Sequence, residues 1–195
     1  MENPKSKTPG IFQLNRLTQR GPMRLILMLT IVILNVGCDQ VSKSWVREKV
    51  TYYERIPLIG EQMILTKVEN TGAFLSLGSK LQDNLRPILL LWLPGIALIT
   101  ILGVVWFQKG IDPGILLGTY FMVGGGIGNL IDRWRFNSVT DFLHIDLGFA
   151  QTGIFNLADV SIMIGAGCVV VFSLIHNRKN KDSDSSEITP TADPE

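Results

Sequence analysis

The chain has 195 residues, enough for one domain of ordinary size, and 46% of them are hydrophobic against 18% charged. The mean hydropathy of +0.27 is high for a soluble domain, and a net charge of +1 with no basic, aromatic-interleaved patch speaks against a nucleic-acid partner. Two cysteines in apolar stretches, Cys38 and Cys168, give no disulfide framework, and two distant histidines, His144 and His176, exclude an HExxH zinc site, so neither metal nor cofactor is expected.

Residues 1–23 read as a polar tail, with Lys5, Lys7, Arg16 and Arg20 against a single acid, Glu2. An apolar run follows from Leu25 to Cys38. Its basic approach and the Gly37-Cys38 pair resemble a lipoprotein export signal. Asn35 stands where such signals prefer an aliphatic residue, and the downstream chain is itself membrane-like. The run therefore predicts a first transmembrane helix of about 20 residues, continuing to Val46. Asn35, Asp39 and Lys43 are spaced i, i+4, i+8, one helical face with the acid N-terminal to the base. That stripe should face a bundle; alternatively Lys43 snorkels at the helix end.

Residues 47–86 form a long loop with β-like runs at Tyr52–Ile59 and Met63–Val68 around a turn at Gly60. It leads into Glu69-Asn70-Thr71-Gly72-Ala73-Phe74. Pro87–Phe107 is a charge-free second span, closed by Gln108-Lys109-Gly110. A third span runs from Pro113 to Ile131, and its Gly124, Gly125, Gly126 and Gly128 suit close helix contact. Asn129 lies near its end and Asp132-Arg133 marks its exit. A second loop, 132–153, carries Asp141 and Asp146. The fourth span, about 154–175, holds Asp159 near its start, and residues 177–195 have the composition of a disordered tail. The fold class expected is an all-α integral membrane protein with four transmembrane helices.

Four spans put both termini on one side. Lys and Arg divide evenly, nine of 18 on each side, but the denser N-terminal cluster favours cytoplasmic termini. Both loops then emerge on the opposite face, together with the Asp39–Lys43 end of the first helix, Asn129 and Asp159. A carboxylate among apolar neighbours such as Phe155, Val160 and Ile162 is a functional candidate. Two carboxylates sharing one proton can activate water and protonate a leaving nitrogen. Asp141, between Val139 and Phe142, is the preferred partner for Asp159, and Asp132, beside Arg133, is the next. Asn156, at i−3, could orient Asp159. Two other readings stand beside this one: Asp159 as a buried acid paired with Lys43 or Arg133 for packing, and a small proton- or ion-coupled transport protein in which Asp159 carries the proton. Ser161, Cys168 and a Ser76 or Ser79 pair with Lys80 lack any supporting pattern.

Five stretches resemble the bacterial lipoprotein signal peptidases, the type II signal peptidases, over about residues 24–176. Asp39-Gln40 with Lys43 resembles their D-Q-x-x-K. Asn70-Thr71-Gly72-Ala73-Phe74 resembles N-x-G-A-F, and Gly125 to Arg133 resembles G-G-x-x-G-N-x-x-D-R. Val139-Thr140-Asp141-Phe142 resembles V-x-D-F, and Phe155-Asn156-Leu157-Ala158-Asp159 resembles F-N-x-A-D. The resemblance implies an aspartic endopeptidase of the cytoplasmic (inner) membrane, a monomer among membrane lipid. It would remove signal peptides from diacylglyceryl-modified prolipoproteins, cutting before the lipidated cysteine. It implies Asp141 and Asp159 as the catalytic pair, with Asn70, Asn129, Arg133 and Asn156 lining the substrate site. Asp39, Lys43, Gly72 and Asp132 would support them. It further implies a small extracytoplasmic β-element in the first loop and a peptidase domain over 24–176. The chain departs from the family in having Thr152-Gly153-Ile154 where a Trp-Pro pair is common, which leaves the entry of the fourth helix open.

Overall fold

The computed structural model describes residues 21–72 and 84–187. Most of the expected N-terminal tail, Ala73 and Phe74 of the Asn70–Phe74 loop, Ser76, Ser79 and Lys80, and the end of the C-terminal tail lie outside the described residues. Four helices are long and apolar enough to cross a membrane. They are α1 (Gly21–Lys49), α2 (Leu85–Phe107), α3 (Pro113–Phe136) and α4 (Leu157–Glu187). The apolar window of α3 is 50% buried, against 6% in α1 and α2 and 17% in α4, so α3 is the central helix. Large apolar side chains on the other three, such as Ile33, Ile99 and Met163, stay exposed, as a lipid-facing surface requires.

Local chemistry sets the helix limits. Pro113 occupies the first turn of α3, and the Asp112 side chain caps it by accepting from the Gly114 N–H at 2.8 Å. At the other end Asn137 adopts a left-handed conformation (φ 55°), and its N–H bonds back to the Arg133 carbonyl. Residues 132–136 are therefore helical, not the start of a loop, and Asp132 and Arg133 project from the last turns of α3. In α2, Pro94 has no N–H to offer, and the turn before it widens so that the Leu93 N–H reaches Ile88, five residues back. Helix α4 continues past His176 to Glu187, and no proline intervenes before Pro190.

Glycine sets the approach of the helices at two places. A Cβ on Gly118 of α3 would lie 2.6 Å from the Gly165 carbonyl oxygen of α4, so the two backbones touch there. A Cβ on Gly128 would lie 2.6 Å from the Asp39 carboxylate of α1. At the opposite end of the bundle, Arg24 of α1 donates to the Gln108 carbonyl at 3.1 Å, to the Val105 carbonyl and to the Tyr120 hydroxyl, tying α1, α2 and α3 together.

The expected β-element proves larger than one loop. Strands β1 (Ile56–Ile59), β2 (Met63–Asn70) and β3 (Val139–Ile145) form an antiparallel sheet in the order β1-β2-β3. The second loop thus supplies a strand, where only a loop was expected. The sheet packs on the end of α1: Val46 and Val50 meet Leu65, Phe142 and Leu143 in one apolar cluster. The chain then returns along β3. Phe155 donates to the Leu143 carbonyl at 2.9 Å, and its own carbonyl accepts from Phe142 and Leu143. Thr152 bonds Ile145 through both backbone and hydroxyl. These bonds, rather than a Trp-Pro pair, fix how the chain enters α4.

Candidate active site

Phe155 hands the chain to Asn156 directly beside β3, and Asn156 begins α4. Its side-chain oxygen accepts from the Asp159 N–H at 3.0 Å, while an Asp159 carboxylate oxygen accepts from the Asn156 N–H at 3.2 Å. This is a reciprocal capping box. Asp159 is therefore a first-turn acid at the positive end of the helix dipole, not an acid stranded within a span. Its second oxygen accepts from the Asn129 amide at 2.9 Å.

Asn156 also connects the two acids. Its amide nitrogen donates to Asp141 at 2.6 Å, so one fully buried side chain caps Asp159 and holds Asp141. The other Asp141 oxygen accepts from the Asn70 amide at 3.0 Å. Asn70 is itself oriented, because its side-chain oxygen accepts from the Gly72 N–H at 2.9 Å, leaving the amide nitrogen for Asp141. Only 4% of Asp141 is exposed. Burial pushes its carboxyl up to about 6; the nearby Asp159 charge adds to this, and the Asn70 and Asn156 hydrogen bonds oppose it. Asn156 thus links Asp141, and not Asp132, to Asp159.

Asp132 has a different setting. Its carboxylate lies 3.4 Å from Lys43 and 2.8 Å from Arg47, accepts from Gln40 at 3.1 Å and from the Thr140 N–H at 3.2 Å. Its paired cations come from α1, not from the adjacent Arg133. Lys43 and Asp39 form a wholly buried ion pair at 2.8 Å. Lys43 neither snorkels to solvent nor pairs with Asp159; it donates to the Asn129 side-chain oxygen at 2.9 Å. That bond leaves the Asn129 amide nitrogen facing Asp159. Asp39 in turn accepts from the Ala158 N–H at 3.0 Å, satisfying another N-terminal donor of α4. Arg133 donates to the Gly72 carbonyl at 3.2 Å and, with Thr71, Arg86, Pro87, Leu90, Leu91 and Asn137, lines a cavity of about 320 Å³.

The ten site residues that the resemblance implies thus gather where the ends of α1, α3 and α4 meet the sheet. Arg47, Thr140 and Glu69 were missed. Arg47 continues the Asn35–Asp39–Lys43 spacing by one more step of four, which is the signal that could have found it.

Four helices long and apolar enough to span a membrane, with buried ion pairs gathered at one end, define a class, the multi-pass membrane proteins. Two solved bacterial membrane enzymes share the fold, with TM-scores of 0.69 and 0.66 at 20% and 22% identity; the alignments cover 87% and 76% of this chain and 94% and 92% of theirs. The chain belongs to the signal peptidase (SPase) II family, whose model it matches over residues 31–175. It is 36% identical to the lipoprotein signal peptidase of Treponema denticola over 178 residues, covering 82% of this chain and 95% of that one. It is 32% identical to that of Clostridioides difficile, covering 80% and 100%.

Proposed function

We propose that the chain is an aspartic endopeptidase that removes signal peptides from diacylglyceryl-modified prolipoproteins, cutting before the lipidated cysteine. The observation that carries this reading is the bridging of Asp141 and Asp159 by Asn156. The bridge joins two acids from different elements at the end of a membrane-spanning bundle. Asp141, with its raised affinity for a proton, is the acid; Asp159 is the base. A water held by the pair gives a proton to Asp159 as its oxygen bonds to the scissile carbonyl carbon, and Asp141 protonates the carbonyl oxygen. The tetrahedral diol then collapses: Asp159 passes its proton to the leaving nitrogen, the C–N bond breaks, and Asp141 regains a proton from a diol hydroxyl.

Arg133 and Asn137, at the cavity beside α2, offer donors to substrate carbonyls, while Leu90 and Leu91 offer an apolar wall to its acyl chains. Placement of Asp159 at a helix end supports hydrolysis at the membrane edge over proton carriage through the bilayer. The enzyme acts as a monomer in the bacterial inner membrane, with cytoplasmic termini and an extracytoplasmic site. An alkaline phosphatase domain inserted at Gly60 should be active outside the cytoplasm; its inactivity there, with activity from a C-terminal fusion, would reverse the orientation. Purified chain incubated with a diacylglyceryl-modified prolipoprotein should release a product whose first residue is the lipidated cysteine, read by mass spectrometry. Cleavage elsewhere, or none, rejects the reading.

A further inference from the structure

The part of the sheet that holds Asp141 is separated from the rest by an irregularity. The β2–β3 ladder runs Met63↔Ile145, Ile64↔His144 and Leu65↔Leu143, shifts register, and resumes with Val68↔Asp141, Glu69↔Thr140 and Asn70↔Val139. A bulge of this kind interrupts the pairing that would otherwise carry register from one half to the other. Only three pairs follow it. They decide which β2 residue stands diagonal to Asp141, and so whether Asn70 can donate to it. A slip of one residue would turn Asn70 to the opposite face.

On that opposite face lies a set of side chains with no contact to either acid. One Glu69 carboxylate oxygen accepts from the Thr140 hydroxyl at 2.8 Å, and the other accepts from the Ser138 hydroxyl at 2.5 Å. The Thr140 hydroxyl oxygen also accepts from Arg47 Nε at 2.8 Å. The Arg47 guanidinium reaches Asp132 on α3 at 2.8 Å and lies 4.2 Å from the centre of the Phe136 ring. The chain of contacts runs from α3 through α1 and β3 to β2, and ends on the residue before Asn70. Thr140 is fully buried and Ser138 nearly so, which makes each of these bonds costly to leave unmade.

We propose that Glu69, Thr140 and Arg47 form a register lock, and that Glu69 and Arg47 are positioning residues for Asp141. Glu69 zips β2 to β3 beyond the bulge. Arg47 pins the zipped pair to the end of α3. Their neighbours Asn70 and Asp141 thereby meet on the far face of the strands. The proposal rests on the peptidase reading, because its readout is cleavage of a lipidated prolipoprotein.

The test compares steady-state kinetics and thermal melting of wild type, Glu69→Ala, Glu69→Gln and Thr140→Val in detergent. Misplacing a reacting group by about 1 Å can cost about 10²-fold in rate. Glu69→Ala should therefore lower kcat by about 10- to 100-fold with KM within about twofold of wild type. Glu69→Gln, which keeps an acceptor for Thr140, should recover most of that loss. Thr140→Val keeps the strand's shape and should lower kcat in the same way, and the Glu69→Ala/Thr140→Val double variant should lose little more than either single one, as a shared interaction requires. The Thr140→Val arm stands alone should Glu69→Ala fail to fold. Folded variants that melt earlier but keep wild-type kcat, or that change KM alone, overturn the lock. Absence of cleavage by the wild-type chain would instead reject the peptidase reading.

Discussion

At the level of single residues, the two acids hold their positions by different physics. Asp159 is held by a helix terminus, which supplies backbone donors and a favourable dipole. Asp141 is held by two amides in a dry setting that favours its neutral form. This gives a signed pH dependence. The folded-state value is raised from 3.8 to about 6, so the folded protein binds the extra proton. The corresponding stability is complete below pH 4, declines as pH rises through 6, and amounts to about 3 kcal/mol. The melting temperature of Asp141→Asn relative to wild type should therefore rise between pH 4 and pH 7. A difference that is flat or falls over that window contradicts the account. Asp159 was legible in the sequence as an acid among apolar residues, but its part in capping α4 was not. Asn156 and Asp159 have the N-cap and N3 spacing of a capping box, and that spacing, more than the burial of the acid, explains its placement.

Among the elements, α4 shows how one side chain can serve both fold and site. Asn156 caps the helix and holds Asp141, and the two tasks separate experimentally. Serine is as good an N-cap as asparagine but is too short and has no amide to reach Asp141. Asn156→Ser should melt within about 1 kcal/mol of wild type while kcat falls by at least about tenfold. Wild-type kcat in a stable variant would remove Asn156 from the positioning of Asp141. The spans were readable because hydropathy is a local property. Strand β3 was not, although Val139-Thr140-Asp141-Phe142-Leu143-His144-Ile145 is rich in strand-forming residues. Its partner β2 lies some seventy residues away, and no local pattern records a pairing across that distance. The same gap hid Arg47, whose significance depends on Thr140 and Asp132 arriving from another loop and another helix.

Across the molecule, the buried charge among the described residues is concentrated at one end. Asp39, Lys43, Asp132 and Asn129 are buried together where three helices end, and the sheet closes over them. Breaking one partner of such a buried ion pair is costly, because it leaves a charge uncompensated. Asn156 links Asp141 and Asp159 beside this cluster, at the edge of a surface otherwise suited to lipid. In the proposed function these two acids perform the cleavage together. Its most direct test is the rate at which purified Asp141→Asn and Asp159→Asn variants, each shown to be folded by thermal melting, release the lipidated product. Each should lose about 10³-fold or more, because neither acid can do the work of both. A folded variant of either kind that cleaves within about tenfold of wild type would contradict the account.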